Sequence, residues 1–158
     1  MHIWLLTHSE ELKKANGTGQ LISSQLAQLC SVIIWQRTEP ATDLLNLPVD
    51  KTLVIYPSIE DTGTESVSPT LDVESAEHFI ILDGTWQQAR KMYNRSPYLH
   101  PFQTYEIRGQ SSQYLRRRNQ QKSGLCTAES AIYLLRQQGL KREAQQLEEA
   151  FLAFNQQH

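Results

Sequence analysis

The stretch Phe79-Ile80-Ile81-Leu82-Asp83-Gly84-Thr85-Trp86 decides the fold. Its first four residues form a continuous apolar run, the pattern of a strand buried on both faces in a parallel sheet. Asp83 and Gly84 close the run, and Thr85 to Tyr93 contains no Gly or Pro, so a helix is predicted directly after the strand with Thr at its start. A strand feeding straight into a helix is the elementary piece of an α/β fold. Ligands of such folds gather at the carboxyl ends of the strands, and Asp83 stands at one of those ends.

Working outward, Leu53 to Tyr56 repeats the pattern and stops at Pro57, while His2 to Thr7 and Ser31 to Trp35 supply two more strands. Gln103 to Ile107 is a weaker strand candidate. Asn16-Gly17-Thr18-Gly19 forms a loop whose glycines permit tight turns, and Leu21, Ile22, Leu26 and Leu29 then recur at helical spacing. A helix is predicted from Cys126 or Thr127 to Gln138, ended by Gly139. A last helix lines up Leu140, Ala144, Leu147, Phe151 and Phe154 in one apolar stripe that packs on the sheet. The segment from Asp61 to Glu77, with Gly63, Pro69 and many Ser and Thr residues, reads as the least ordered interior stretch, either a mobile lid or a surface excursion. Together these features predict an α/β fold with a mainly parallel sheet in a single domain over residues 1–158.

Composition is consistent with a packed core: 39% of residues are hydrophobic and 20% charged, which excludes a disordered chain. A formal net charge of -2 excludes a uniformly basic body. The charge is segregated instead. Arg90, Lys91, Arg95, Arg108, Arg116, Arg117, Arg118 and Lys122 face a single acid, Glu106, in the same stretch, whereas Glu60 to Glu77 holds acids and no Lys or Arg. Cys30 and Cys126 belong to no Cys-x-x-Cys or Cys/His cluster, so no metal is expected. The chain shows no basic leader and no segment long enough to span a bilayer, which makes the cytoplasm the expected compartment.

Several places are chemically suggestive. Asp83 brings a carboxylate to the ligand edge, Gly84 permits close backbone approach, and Trp86 offers a flat apolar surface with one N–H donor. Alternatively, Asp83 caps the following helix and Trp86 is core. Ser111 to Arg118 joins hydroxyls and Tyr114 to three consecutive guanidiniums, either an RNA-facing loop or a solvated run. Cys126-Thr127-Ala128-Glu129 opens a helix whose first amides either receive a ligand carboxylate or belong to a plain N-cap. Cys126 has no His nearby in sequence and reads as a small packing residue. His8 follows the first strand onto the same edge, as a base or as polar lining. Neither a Walker loop nor a Gly-x-Gly-x-x-Gly motif supports an ATP or dinucleotide reading.

Taken in order along the chain, these motifs resemble the DTW-domain family, the tRNA-uridine aminocarboxypropyltransferases. The Asp-x-Thr-Trp pattern is Asp83-Gly84-Thr85-Trp86, and the resemblance runs through Thr7-His8, Asn16 to Gly19, Trp35 to Pro40, Tyr56-Pro57, Ala89 to Met92, Tyr114 to Arg116 and Cys126 to Glu129. It implies a SPOUT-like fold whose C-terminal part is threaded into a knot enclosing an S-adenosylmethionine site. Backbone around Tyr56, Pro57 and Ser58, around Leu82, Gly84, Thr85 and Trp86, and around Leu115, Cys126, Thr127, Ala128 and Glu129 would line that site. Many relatives carry an N-terminal cysteine-rich segment, whereas this chain begins close to its first strand, so zinc is not carried over.

The reaction implied by the resemblance has N3 of a uridine in tRNA, or in another structured RNA, attack the methylene carbon of the methionine side chain, releasing methylthioadenosine. Asp83 is the expected essential residue, either accepting the N3 proton or holding the sulfonium and amino groups. Arg90, Lys91, Arg116, Arg117 and Arg118 would grip phosphates, with the acidic Glu60 to Glu77 loop kept off the duplex. Two rivals are an S-adenosylmethionine-dependent RNA methyltransferase on the same fold and a non-catalytic RNA-binding module.

Overall fold

In the computed structural model, which describes residues 1–8, 18–55, 71–107 and 126–156 and leaves out the side chains of Trp86 and Gln156, five strands form one sheet. These are β1 (His2–Thr7), β2 (Cys30–Ile34), β3 (Thr52–Ile55), β4 (His78–Asp83) and β5 (Gln103–Tyr105). The order across the sheet is β2-β1-β4-β3-β5, and every pairing is parallel. The predicted parallel α/β sheet is therefore found, with β4 at its centre between β1 and β3. Residues 115–125 of the expected C-terminal knot lie outside the described residues, as do Tyr56, Pro57 and Ser58.

Alternation along the strands divides the core into two layers. Ile3, Leu5, Leu53, Ile55, Phe79 and Ile81 face one side and bury against α1 (Gly19–Gln25), α4 (Thr127–Gln137) and α5 (Lys141–Gln156). Leu6, Val54, Ile80 and Leu82 face the other side, where Trp35, Ala89, Met92, Leu99 and Phe102 close over them. Of the remaining helices, α2 (Thr42–Leu45) and α3 (Trp86–Asn94), each contributes to that second layer, through Leu44 and through Ala89 and Met92. Each fully buried Leu, Ile or Phe contributes about 1.5–3 kcal/mol relative to exposure. The stripe predicted on the last helix is part of the first layer, with Ala144, Leu147 and Phe151 buried.

Helix ends follow their sequence cues. α3 starts in a capping box: the Gln88 amide donates to Thr85 Oγ1 at 3.1 Å and the Thr85 amide donates to Gln88 Oε1 at 2.8 Å. Gly139 ends α4 at φ 79°, where its N–H bonds to Arg136 O and that of Leu140 to Leu135 O. This paired pattern needs the left-handed residue that glycine supplies without strain.

Part of the acidic segment departs from the expectation of a lid or loose excursion. Leu71, Val73 and Ala76 are buried in the first layer. Gln103 exchanges hydrogen bonds with the Leu71 backbone at 3.3 and 3.0 Å, and Gln138 Nε2 donates to the carbonyls of Val73 and Ala76. Three apolar anchors and two glutamines thus fasten residues 71–76, while 61–70 lie outside the described residues.

Candidate active site

Parallel pairing sets Thr7 of β1 directly beside Asp83 of β4, at the carboxyl ends of two adjacent inner strands. Both residues point to the layer covered by α1 and α4. Asp83 is only 5% exposed. Its Oδ2 accepts from the Thr7 hydroxyl at 3.3 Å and its Oδ1 from the Thr127 hydroxyl at 2.7 Å. Gly19, the first residue of α1, lies against the same carboxylate: a Cβ built there would be 2.3 Å from Oδ2. Asp83 therefore joins the end of one strand to the starts of two helices.

A second bond links those helix starts. Thr18 makes no side-chain cap for its own helix, and its Oγ1 instead accepts the Ala128 amide at 3.1 Å. Cys126 is the N-cap of α4, its sulfur accepting the Glu129 amide while the Glu129 carboxylate accepts the Cys126 amide at 3.1 Å. The amides of Cys126, Ala128 and Glu129 are thus bonded within the protein, as in a plain N-cap.

The alternative role of Asp83 as cap of the following helix is excluded, because Thr85 is the cap and the Asp83 carboxylate turns the other way, to Thr7 and Thr127. Leu82 is buried in the second layer, so it presents backbone only to the edge. Gly84 is half-buried, and the nearest atom to a Cβ built on it is Gln88 Oε1 at 2.9 Å. Burial pushes the Cys126 thiol up to about 12, which fits a packing residue rather than a nucleophile. Cys30 is likewise pushed up to about 12, first by burial and then by the Asp83 carboxylate, whose negative field reaches it.

On the second layer's side of the edge, the His8 ring stacks on Trp35 with centroids 5.7 Å apart and planes 23° apart. Trp35 is buried, and its indole N–H donates to the buried Ser96 hydroxyl at 2.8 Å. The backbone amide of His8 donates to Asp83 O at 3.0 Å. Arg90 and Lys91 are exposed on α3, on that same side. Leu115, Arg116, Arg117 and Arg118 lie outside the described residues. Among the described residues, no group of three or more His, Cys, Asp and Glu side chains is placed to hold a metal ion, and no helix is long and apolar enough to cross a membrane.

The sequence pattern of the DTW domain matches residues 1–158. The chain belongs to the DTW-domain family. It is 32% identical over 139 residues to tRNA-uridine aminocarboxypropyltransferase 2 of Macaca fascicularis, a match covering 85% of this chain and 46% of that protein. The chain thus spans about half the length of this curated relative. No solved structure matches.

In this DTW domain, the site residues not anticipated individually are Thr7, Thr18, Gly19 and Ser96. The Asn16 to Gly19 loop stood out by its glycines, and Thr7 is the one polar residue that closes an otherwise apolar strand core. Nothing local in the sequence marks Ser96 as the partner of Trp35.

Proposed function

We propose that this DTW domain is an S-adenosylmethionine-dependent aminocarboxypropyltransferase acting on N3 of a uridine in tRNA, with release of methylthioadenosine. The observation carrying this reading is the family's Asp, Asp83, buried at the carboxyl edge of a parallel sheet and tied to both Thr7 and Thr127. A carboxylate there suits a donor that carries a sulfonium and an ammonium group. The backbone of Gly84 and Thr85 and the start of α4 at Cys126, Thr127, Ala128 and Glu129 flank Asp83 and would hold the donor, with Leu82 and Trp86 contributing backbone. Tyr56, Pro57, Ser58 and Leu115 complete the proposed set from outside the described residues.

Of the two roles open to Asp83, the bonding favours that of an anchor. Each carboxylate oxygen already accepts one threonine hydroxyl, which holds Asp83 in place and leaves its remaining acceptor sites for the sulfonium and amino groups of the donor. Arg90 and Lys91 would contact RNA phosphates, together with Arg116, Arg117 and Arg118.

The test is incubation of the protein with S-adenosylmethionine and unmodified tRNA, followed by mass spectrometry of nucleosides and small molecules. Aminocarboxypropyl-uridine with methylthioadenosine supports the reading. S-adenosylhomocysteine with a methylated nucleoside would replace it by a methyltransferase. Failure to bind S-adenosylmethionine at all would favour a non-catalytic RNA-binding module.

A further inference from the structure

Uridine N3 carries a proton that must leave before or as the nitrogen attacks, so the site needs an acceptor at its edge. The described residues narrow the choice. Asp83 is buried with both oxygens bonded to threonine hydroxyls and Gly19 against one of them. Cys126 is buried with its thiol pushed up to about 12, the Glu129 carboxylate holds the Cys126 amide, and Thr85 is committed to capping α3. His8 brings an imidazole to the same edge and is half-buried there, its ring seated on Trp35.

Its placement is also fixed. The backbone amide of His8 bonds to Asp83 O, which locks it beside the anchor, and its Cβ would lie 3.6 Å from a Cβ built on Gly84. The ring rests on Trp35, which is itself held by Ser96 from below. A ring so seated needs little reorganisation when it acts. His8 follows β1 at the strand end where Asp83 lies, with its ring on the Trp35 side of the sheet, the side on which α3 packs.

We propose that His8 is the general base of the transfer, with Trp35 as its positioning residue; this rests on the aminocarboxypropyltransferase reading above. A ring nitrogen of His8 takes the N3 proton, and the N3 electron pair forms the new N–C bond to the methylene carbon attached to sulfur. The C–S bond breaks with its electron pair remaining on sulfur, which turns the sulfonium into the neutral thioether of methylthioadenosine. The imidazolium then returns its proton to water. Charge and atoms balance without another reactant, and imidazole is the side chain most often used for such a step.

The experiment compares the intact protein with His8→Gln and His8→Ala, measuring methylthioadenosine release on unmodified tRNA and S-adenosylmethionine affinity by calorimetry. Loss of a general base lowers kcat by about 10²- to 10⁴-fold. Both variants are expected to fall in that range while still binding S-adenosylmethionine, which also reports that they are folded, and added imidazole is expected to restore part of the His8→Ala rate. Near-normal kcat in both variants overturns the role of His8 while leaving the reaction intact, and so does a loss of kcat that imidazole does not relieve. An unmodified protein that binds S-adenosylmethionine and tRNA but releases no methylthioadenosine overturns the reading of the reaction itself.

Discussion

Gly19 and Asp83 are packed so closely that a Cβ built on the glycine would lie 2.3 Å from Asp83 Oδ2 and 2.8 Å from its Cγ. The position tolerates no side chain while the carboxylate stays where Thr7 and Thr127 hold it. Its backbone lies outside the left-handed region, so this is a matter of space alone.

Gly19→Ala is therefore expected to destabilise the protein by about 1–3 kcal/mol, the usual cost of overpacking a well-filled site. Gly84→Ala is the control. Its collision is with the end of the flexible Gln88 side chain, so its loss should be the smaller. Urea denaturation of the two variants checks the order.

Asp83→Ala and Asp83→Asn are expected to separate. Alanine leaves the buried Thr7 hydroxyl and the Thr127 hydroxyl without their acceptor, at about 1–3 kcal/mol for a buried group so stranded. Position alone suggests a variant that loses transfer with its fold untouched; the bonds described above imply a loss of stability as well. Asparagine keeps the shape and one acceptor oxygen, so it should melt closer to the unmodified protein yet remove the anionic centre. Thermal melts alongside S-adenosylmethionine titrations would show this, and equal melting temperatures for the two variants would contradict it.

At the amino end of the sheet, His2 and His78 are paired in register. His2 Nε2 is bonded to Ser31 Oγ at 2.8 Å, and His78 Nδ1 accepts the Trp4 indole N–H at 3.2 Å. Burial, aided for His2 by the nearby His78, lowers both below the ordinary 6.5. The unfolded chain therefore takes up protons at a higher pH than the folded one. Stability is full above about pH 6.5 and falls as the pH drops from there toward the folded values, because ν_U exceeds ν_N in that window. Melting temperatures from pH 7.5 down to 5.5 should decline, and His2→Asn with His78→Asn should flatten the slope.

Removing Arg90 and Lys91 together is expected to weaken tRNA binding and to lower the slope of log K against log salt by about one unit per lost phosphate contact. Binding isotherms at two or more salt concentrations measure it. A slope unchanged by the double substitution would take α3 out of the RNA-facing surface.

The strands were legible because each central one is a run of apolar residues with no competing helical period. Leu53 to Tyr56 and Ser31 to Trp35 anticipated β3 and β2 to within one residue. The weaker Gln103 to Ile107 stretch kept only its first three residues as β5, at the sheet edge. Asp83 was legible as a ligand-edge carboxylate, but its partners were not. That Thr7 stands opposite it is set by the pairing of two strands 76 positions apart, and that Thr127 reaches it by the return of a helix much later in the chain. Local pattern likewise reads Asp61 to Glu77 as the least ordered stretch, because the glutamines that fasten its last part, Gln103 and Gln138, come from other elements.

The bond from the Ala128 amide to Thr18 Oγ1 spans 110 positions of the chain. A polypeptide emerging from the ribosome can assemble β1, β2, β3 and β4 while the partners of Asp83 Oδ1 and Thr18 are still unmade. The edge closes only when Thr127 and Ala128 have arrived and α4 has folded over it. Translation halted before that point would leave a sheet whose carboxyl edge still lacks the Thr127 and Ala128 contacts, so the edge is completed only late in synthesis.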